Sequence, residues 1–456
     1  MIVTRFAPSP TGFLHIGGLR TALFSYLWAR KNGGKFLLRI EDTDQARNSE
    51  AAVKAILEAF EWVKMDYDGA IEYQSKRFDI YAEYVNKLLD SGKAYRCYMS
   101  KEELDALREE QIKLGKRPRY DGRYRSLPPK EGVKPVVRIK SPTSGKVTIE
   151  DGVKGAVSFE WSETVDDFII ARSDGTPTYN FVVAVDDALM GVTDVIRGDD
   201  HLSNTPKQIV VYNALGFAVP KFFHVPMILS GEGKKLSKRD GATDVMEYKK
   251  MGYLPEALLN FLVRLGWSHG DQEIFSRQEL LRLFDPRSIN KSASAYNASK
   301  LLWINSEYIK QKNDQELIAL LKEDFSLDVG GFKNAALLFN LCKEKARTLM
   351  DFASEARRFL LRPESYDEKD AAAVSADAIA LCERFLEFAR DKGEFHQAIG
   401  EFLEANDLKM PQLAKPMRVA LFGAAQGPAL AESLAILGVK EAQERVAALK
   451  NRVCRG

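Results

Sequence analysis

The first forty residues, MIVTRFAPSPTGFLHIGGLRTALFSYLWARKNGGKFLLRI (1–40), decide the fold. Ile2–Phe6 predicts a short strand that ends at the turn PSPTG (8–12), because proline has no N–H for a sheet and glycine accepts unusual backbone angles. The apolar spacing of Leu19–Arg30 predicts a helix, and the compact apolar run Lys35–Ile40 predicts a buried parallel strand. Strand, turn, helix and strand form a βαβ unit, which begins a doubly wound α/β fold.

Length and composition bound the class of protein. A chain of 456 residues exceeds one ordinary core, so roughly three domains are expected. Its 45% hydrophobic and 29% charged residues are typical of globular proteins, which excludes a mainly disordered chain. Because 66 basic residues face 64 acidic ones, the net charge is only +2, and a polyanionic partner must be met by local basic surfaces.

Cysteine usage and the first residues indicate the compartment. The four cysteines, Cys97, Cys342, Cys382 and Cys454, form no CxxC pair, which favours a reducing compartment over a disulfide framework. Residues 1–12 lack the regions of a signal peptide, and no apolar run reaches the ~18 residues that span a membrane. These features predict a cytoplasmic protein.

The pattern of the chain changes twice. Strand-like pieces and turns between about 95 and 180 predict an inserted α+β segment, and helical spacing dominates after Asp244. Alternating strand and helix patterns return at Phe181–Val185, Asp194–Arg197 and Gln208–Leu215. The predicted division is an α/β domain at 1–94 and 181–245, its insertion at 95–180, and helical units at 246–312 and 313–456.

A candidate phosphate site lies where the first strand gives way to the first helix, at FLHIGG (13–18). A helix start presents unpaired N–H groups and the positive end of a dipole, which favour phosphate. Gly17 and Gly18 let a flat ring or a phosphate approach the backbone, and His15 can donate to a phosphate oxygen. Taken alone, the same residues are more typical of an ordinary turn.

A second cationic segment lies about two hundred residues later. Lys235-Leu236-Ser237-Lys238-Arg239 sits between Gly231 and Gly241, and its three cations suit a triphosphate. A lone run of this kind is typical of a solvated loop. Together with the His-Ile-Gly-Gly turn, however, it predicts a two-part ATP site.

The pair resembles the HIGH and KMSKS signatures of class I aminoacyl-tRNA synthetases. The surrounding text is similar to bacterial glutamyl-tRNA synthetases along nearly the whole chain. The segments that carry this resemblance are RFAPSPTGFLHIGGLRTALF (5–24), RIEDTD (39–44), PTYNF (177–181), VIRGDDHLSNTPKQ (195–208), KKLSKRDGA (234–242), LNFLVRLGWSHGD (259–271) and KPMRVALFG (415–423).

The resemblance implies a Rossmann-type α/β catalytic domain, an inserted acceptor-stem domain at 95–180, a stem-contact helical domain at 246–312 and an all-α anticodon-binding region at 313–456. It implies that ATP and L-glutamate form glutamyl-adenylate and that glutamate then passes to the 3′ end of tRNA(Glu). Such chemistry needs positioning and charge stabilisation on phosphate oxygens, without a covalent enzyme nucleophile.

The resemblance also implies roles for the two signature segments. His15, Gly17 and Gly18 are expected at the α-phosphate. Lys235, Ser237 and Lys238 are expected at the β- and γ-phosphates, with Lys238 the principal lysine. Mg²⁺ is expected to arrive with ATP, held mainly by phosphate oxygens and water.

The expected glutamate pocket contains two arginines. Guanidinium groups pair with a carboxylate through two parallel hydrogen bonds, and they favour glutamate over the neutral amide of glutamine. From the residues alone, Arg197 is equally compatible with a surface ion pair to Asp199 or Asp200, and Glu41 with a helix cap. The resemblance places these residues at the substrate: Arg5, Ser9, Glu41, Tyr179 and Arg197.

Basic and aromatic residues of the insertion suit phosphate contacts and stacking on a single-stranded end, although a solvated loop has the same composition. They are Arg117, Arg119, Tyr120, Arg123, Tyr124 and Arg125. Arg357, Arg358 and Arg362 are candidate RNA contacts or a solvated helix face. Many relatives bind zinc in the insertion, but Cys97-Tyr98-Met99 and Tyr124-Arg125-Ser126 keep one of four ligands, so no zinc is predicted.

Other functions are weighed against this one. A shortened tRNA-modifying relative would lack the C-terminal helical region, a glutaminyl enzyme would lack Arg197, and a non-catalytic tRNA-binding paralogue would not need both ATP signatures. Charging of tRNA(Gln), alone or beside tRNA(Glu), stays open. Relatives are usually monomers, and the same is expected here.

Overall fold

The computed structural model describes residues 1–44, 48–234, 236 and 244–453, which fall into two compact units. The first unit comprises Met1–Lys249 and Pro255–Leu301, and the second comprises Lys250–Leu254 and Leu302–Gly456. Strands concentrate in the first unit and the second is helical, which confirms the predicted fold class of an α/β domain with an insertion followed by a helical region.

The strands of the described chain are β1 (Val3–Phe6), β2 (Lys35–Ile40), β3 (Glu72–Tyr73), β4 (Ala94–Cys97), β5 (Val136–Ile139), β6 (Lys146–Asp151), β7 (Gly155–Glu160), β8 (Ile169–Ala171), β9 (Asp194–Gly198), β10 (Lys221–Val225), β11 (Ile228–Leu229) and β12 (Ser294–Ala295). The first ten helices are α1 (Ile16–Lys31), α2 (Glu50–Trp62), α3 (Phe78–Asp90), α4 (Lys101–Lys113), α5 (Trp161–Thr164), α6 (Tyr179–Leu189), α7 (Thr205–Leu215), α8 (Val245–Lys250), α9 (Pro255–Arg264) and α10 (Arg277–Leu283). Those that follow are α11 (Ala298–Gln311), α12 (Asp314–Phe325), α13 (Ala335–Lys345), α14 (Leu349–Leu360), α15 (Glu368–Ala372), α16 (Ala376–Phe388), α17 (Phe395–Ala405), α18 (Met410–Phe422), α19 (Leu430–Leu437) and α20 (Val439–Val453).

The predicted βαβ unit forms the centre of the α/β part. Strands β1 and β2 pair in parallel, from Val3 opposite Lys35 to Phe6 opposite Leu38, and β9 and β10 form a second parallel pair. The Thr193 N–H donates to the Val3 carbonyl at 2.9 Å and so connects the two pairs. The carboxyl ends of these strands, where ligands of α/β sheets bind, carry several of the expected pocket residues.

The insertion has antiparallel strands. β4, β5 and β8 form one sheet, and β6 and β7 form a hairpin in which Lys146 lies opposite Glu160 and Asp151 opposite Gly155. The hairpin is tied to the parallel sheet, because the Gly152 N–H donates to the Phe222 carbonyl at 2.9 Å. The hairpin turn therefore lies against β10.

The sequence pattern of residues 181–185 did not decide between a strand and a helix. Phe181–Val185 lies inside α6, and every residue from 181 to 187 is buried. Short apolar runs do not distinguish a buried strand from a buried helix. Because this helix is surrounded by protein, its acidic residues Asp186 and Asp187 are also buried.

The second unit has its own apolar core between α16, α18 and α20. Arg445 of α20 is buried there and donates to the carbonyls of Arg358 and Phe359 at 2.9 and 2.6 Å. Those carbonyls belong to the last turn of α14, where intrahelical partners run out, so Arg445 supplies their hydrogen bonds. Within the described parts of both units, no helix combines the length and the apolarity needed to cross a bilayer.

Candidate active site

His15 is the N-cap of α1. Its Nδ1 accepts hydrogen bonds from the N–H groups of Gly17 and Gly18 at 3.1 and 3.3 Å. Because Nδ1 accepts, the proton of a neutral ring must be on Nε2, on the far side of the imidazole. Two N–H groups that the sequence offered to a phosphate are therefore taken by this side chain, and the ring presents a donor instead.

The two glycines lie close to neighbouring side chains. A Cβ at Gly17 would lie 3.0 Å from Cε1 of His15, and a Cβ at Gly18 would lie 2.9 Å from Cδ1 of Leu14. The first contact is with the capping ring itself. A side chain at position 17 would therefore displace the imidazole that closes the helix start.

The segment that follows the second signature is anchored beside the first. His15 and Asp244 form an isolated antiparallel bridge, and the Val245 N–H donates to the Leu14 carbonyl at 2.9 Å. Chain segments about 230 residues apart thus meet at the start of α1. Lys235, Ser237 and Lys238 themselves lie outside the described residues.

Arg5 and Glu41 belong to a buried charge network built around Asp187. Arg5 places Nε and one terminal nitrogen 3.0 and 3.3 Å from the two carboxylate oxygens of Asp187. Arg39 bridges Asp187 and Glu41 at 2.7 and 3.1 Å and has no exposed surface. Burial raises the pKa of Glu41, although the charges of Arg39 and Arg5 oppose that rise.

Arg197 lies on β9 and is also buried, but its partners are neutral. Nε donates to Nε2 of His224 at 3.1 Å, and the terminal nitrogens donate to Gln208 and Thr205, each at 2.8 Å. Burial lowers the pKa of this guanidinium. The alternative of a surface ion pair with Asp199 or Asp200 is therefore wrong.

This arrangement indicates an anion site. Among the described residues, these contacts use one N–H on each guanidinium nitrogen, which leaves one on each terminal nitrogen for a ligand. A buried cation without a countercharge is costly, and a bound carboxylate removes that cost.

Tyr179 is the first residue of α6, and the charges of Arg5 and Arg197 both act on its phenol. Burial raises the pKa of its phenol, the charge of Glu41 raises it further, and Arg197 and Arg5 lower it. Tyr179 nevertheless keeps 37% of its surface exposed. The structure thus brings four predicted pocket residues within electrostatic range of one another.

Ser9, the fifth predicted pocket residue, is exposed in the turn after β1. The carbonyl of its neighbour Pro8 accepts from the Glu41 N–H at 2.9 Å, so the turn is held beside the end of β2. This backbone hydrogen bond brings the turn that contains Ser9 close to Glu41.

Several site residues were not predicted from the sequence. Arg39 was predicted as part of an apolar strand, and no site role was predicted for Asp187 or His201. The His201 ring approaches the Tyr179 hydroxyl at 3.3 Å. Asp151 and His224 support Arg197 from another segment. A charged residue inside an otherwise apolar element, as at 39 and 187, was the available signal, because burying an unpaired charge is costly.

The part of the insertion where many relatives bind zinc contains a tyrosine-rich cluster. Tyr95, Cys97, Tyr120 and Tyr124 pack together, with Met99 against them. The Tyr120 hydroxyl lies 3.6 Å from the Cys97 sulfur and accepts from the Tyr124 N–H at 3.0 Å. No group of three metal-ligating side chains occurs within the described ranges.

The charged residues beside this cluster bind each other. Arg125 pairs with the buried carboxylate of Asp167, which also accepts from the Tyr95 hydroxyl at 2.6 Å. Arg125 is therefore used inside the insertion, and Arg123 pairs with Asp121. Of the other candidate RNA arginines, Arg362 is paired with two glutamates of α20, Glu441 and Glu444.

Metal analysis of protein purified without chelators is expected to find no stoichiometric zinc. The reason is that Cys97 is the one expected ligand present, and its sulfur lies 3.6 Å from the Tyr120 hydroxyl in a cluster of tyrosines, which are poor zinc ligands. The same protein, dialysed against EDTA, should unfold at an unchanged temperature. One equivalent of zinc, or a lower melting temperature after EDTA, would contradict this prediction.

Comparison with known proteins places this site in a class. The family of class I tRNA synthetases (E and Q), catalytic domain, matches residues 1–303, and an anticodon binding domain matches residues 298–450. The fold is that of a class I tRNA synthetase. The two matches divide the chain close to the boundary between the two structural units.

Within that class the similarity is specific. Glutamate–tRNA ligase 2 of a Nitratiruptor species is 62% identical over 454 residues, 98% of both chains, and glutamate–tRNA ligase 1 of a Sulfurovum species is 59% identical over 456 residues with the same coverage. A crystal structure of a glutamate tRNA ligase from Elizabethkingia meningosepticum in complex with its amino acid matches with a TM-score of 0.86 at 33% identity over 99% of both chains. The chain belongs to the glutamate–tRNA ligase family.

Proposed function

We propose that this chain uses ATP to attach L-glutamate to the 3′ end of tRNA(Glu) through a glutamyl-adenylate. The observation that carries the proposal is the pair of buried arginines at adjacent strand ends. Arg5 has a carboxylate partner, whereas Arg197 is surrounded by neutral groups and supplies the unbalanced charge that a substrate carboxylate requires.

The selectivity for glutamate follows from the same charge. Glutamine would place a neutral amide against Arg197 and leave the buried guanidinium without an anion. Glu41 accepts from the substrate ammonium in this proposal, and Ser9 and Tyr179 add neutral hydrogen bonds. In this proposal Arg197 binds the side-chain carboxylate.

The nucleotide is assigned to the start of α1. His15 donates from Nε2 to the α-phosphate, and Gly17 and Gly18 permit its capping geometry. Lys235, Ser237 and Lys238 bind the β- and γ-phosphates. Mg²⁺ arrives with ATP in this proposal and is held mainly by phosphate oxygens and water.

The transfer RNA is assigned to both units. In the proposed division, residues 95–180 bind the acceptor stem, 246–312 contact the stem and 313–456 bind the anticodon; the anticodon-binding family match over 298–450 supports the last of these. Arg117 and Arg119 are the insertion arginines that we retain as RNA contacts, because Arg123 and Arg125 have carboxylate partners. The protein acts as a monomer in the cytoplasm in this proposal.

The function is tested by charging purified tRNA(Glu) and tRNA(Gln) separately, each with glutamate and with glutamine. Glutamate on tRNA(Glu) is the expected product, and transfer of glutamine would overturn the assignment. Glutamylation of tRNA(Gln) as well would extend the proposal, whereas glutamylation of tRNA(Gln) alone would replace its RNA substrate. Pyrophosphate exchange with glutamate in the presence of tRNA separates an enzyme from a non-catalytic tRNA-binding protein.

Lys238→Ala is expected to lower glutamate activation by about a hundredfold or more, because it removes a cation from the phosphates of the leaving group. Pyrophosphate exchange in the presence of tRNA measures the effect, and filter binding should show nearly unchanged tRNA affinity. Lys234→Ala is the matched control. Lys234 lies in the same loop but is exposed and paired with Glu232, so its removal should leave activation unchanged. Equal activity of both variants would remove Lys238 from the phosphate site.

A further inference from the structure

A chain of buried side chains runs from the β6–β7 hairpin of the insertion to Arg197. Asp151, the last residue of β6, has an Oδ2 atom 2.6 Å from Nδ1 of His224 on β10. His224 lies opposite Arg197 in the parallel β9–β10 pair, and its Nε2 receives the Arg197 Nε–H at 3.1 Å. The Asp151 and His224 side chains have no exposed surface.

The chemistry of the two ends fixes the proton on the ring between them. A guanidinium has only donors, so Nε2 of His224 must accept, and a carboxylate only accepts, so Nδ1 must carry the proton. The ring is therefore neutral and held in one tautomer. Burial lowers the pKa of His224, and the nearby charge of Arg197 acts in the same direction, which agrees with a neutral ring.

Asp151 is held rigidly as an anion. Its Oδ1 accepts from the N–H groups of Val153 and Lys154 at 2.9 and 2.8 Å, and both carboxylate oxygens lie within 3.3 Å of the His224 N–H. These bonds keep the pKa of Asp151 below its usual range even though burial raises it. The carboxylate therefore binds the hairpin turn and the strand β10 at the same time.

The hairpin turn fits closely against β10. A Cβ at Gly152 would lie 2.1 Å from Cε1 of Phe223, so the turn cannot approach β10 with a larger residue there. On the other side of the turn, Lys154 binds Asp199 and the Lys291 carbonyl at 2.8 and 3.0 Å. These contacts set the position of Asp151 relative to His224.

We propose that Asp151 and His224 are positioning residues for the glutamate site: Asp151 fixes the tautomer of His224, and His224 fixes the guanidinium of Arg197. With Nε held by His224 and the outer donors held by Gln208 and Thr205, the plane of the guanidinium cannot rotate, and its remaining N–H groups keep one direction. The proposal rests on Arg197 as the glutamate ligand. It makes the insertion a contributor to the amino-acid site, because Asp151 lies within residues 95–180.

Asp151→Asn tests the proposal with almost no change in shape. The asparagine carbonyl can still accept from Val153 and Lys154, but its amide would donate to Nδ1 of His224. The ring would then carry its proton on Nε2, where it would face the Arg197 Nε–H, and two donors would oppose each other. The KM for glutamate should rise about tenfold to a hundredfold, the loss expected for one hydrogen bond to a charged group, while the KM for ATP and for tRNA stays unchanged.

Two further variants separate the possible outcomes. Glu150→Gln makes the same carboxylate-to-amide change on the neighbouring, exposed residue of β6 and should leave every KM unchanged. Arg197→Ala tests the underlying assignment. If Arg197→Ala leaves the KM for glutamate unchanged, the proposed function of that residue fails; if Arg197→Ala raises it and Asp151→Asn does not, only the positioning role fails.

Histidine NMR reads the tautomer in the natural protein directly, and the variant serves to assign the His224 signal. The chain has five histidines, so ¹⁵N-histidine labelling gives few ring signals even at this size. The ring whose signals change in Asp151→Asn is assigned to His224, and it should be protonated on Nδ1 in the natural protein and on Nε2 in the variant. A His224 ring protonated on Nε2, or on both nitrogens, in the natural protein at neutral pH would overturn the proposal.

Discussion

Arg197→Ala should raise the KM for glutamate by about a hundredfold to a thousandfold, because a buried charge pair lost at a binding site costs roughly 3–4 kcal/mol. The kcat for aminoacylation at saturating glutamate should fall much less, since Arg197 is assigned to the substrate side chain and not to the phosphates. Steady-state charging of tRNA(Glu) with varied glutamate measures both quantities.

The same substitution should leave the fold intact. Arg197 has no carboxylate partner among the described residues, so its removal leaves no buried charge behind. Thr205 and His224, which it held, lie 3.1 Å apart and can bond each other. Arg172→Ala, at an exposed arginine near the end of the insertion, is the control and should change neither the KM nor the melting temperature. An unchanged KM for Arg197→Ala would remove this residue from the pocket.

Whereas Arg197→Ala should leave the fold intact, Asp187→Asn should destabilise the first unit by about 3–5 kcal/mol. The reason is that it leaves two buried guanidinium groups without their shared anion. Arg5 and Arg39 both bind Asp187, and of the two ion pairs of Arg39 among the described residues the substitution would leave the one with Glu41. Urea denaturation followed by tryptophan fluorescence suits the measurement, since four of the five tryptophans, at 28, 62, 161 and 267, lie in that unit.

The pH dependence has a definite sign. Burial would raise the pKa of Asp187, but Arg5 and Arg39 hold it below its usual range. The stabilisation from this carboxylate is therefore fully present above the ordinary carboxyl pKa and is lost as the pH falls through the depressed value. The difference between natural protein and Asp187→Asn should accordingly shrink in acid.

Asp105→Asn is the control for this measurement. Asp105 forms an exposed ion pair with Arg108 at 3.4 Å, and pairs of that kind contribute about 0–1 kcal/mol. A loss of stability no larger for Asp187→Asn than for Asp105→Asn would show that the buried network does not stabilise the fold.

Local pattern predicted the parts of the fold that depend on neighbouring residues. Lys35–Ile40 forms the expected strand with the predicted limits, because a compact apolar run between turns has few alternatives. The helix of the βαβ unit begins three residues earlier than its apolar spacing suggested, at Ile16, because His15 caps it. A capping histidine is uncommon, and the apolar pattern does not record it.

What sequence could not predict depends on distant partners. Arg5 and Arg197 were expected at strand ends, but whether each has a countercharge is decided by Asp187 and His224, which reach the site from other elements. The basic cluster of the insertion also depends on a distant partner. The sequence made Arg125 a candidate phosphate ligand, whereas the structure pairs it with Asp167. The roles of the remaining pocket residues and of the lysine segment stay predictions.

The imidazole at the start of α1 has an evolutionary consequence. One nitrogen of His15 caps the helix, and the other is assigned to the reacting nucleotide. The local structure and the proposed chemistry therefore depend on a single residue. A substitution at this position would remove the helix cap and the proposed phosphate donor together. With the proposed role of His15, selection for the helix start and selection for the enzyme's activity therefore act on the same side chain.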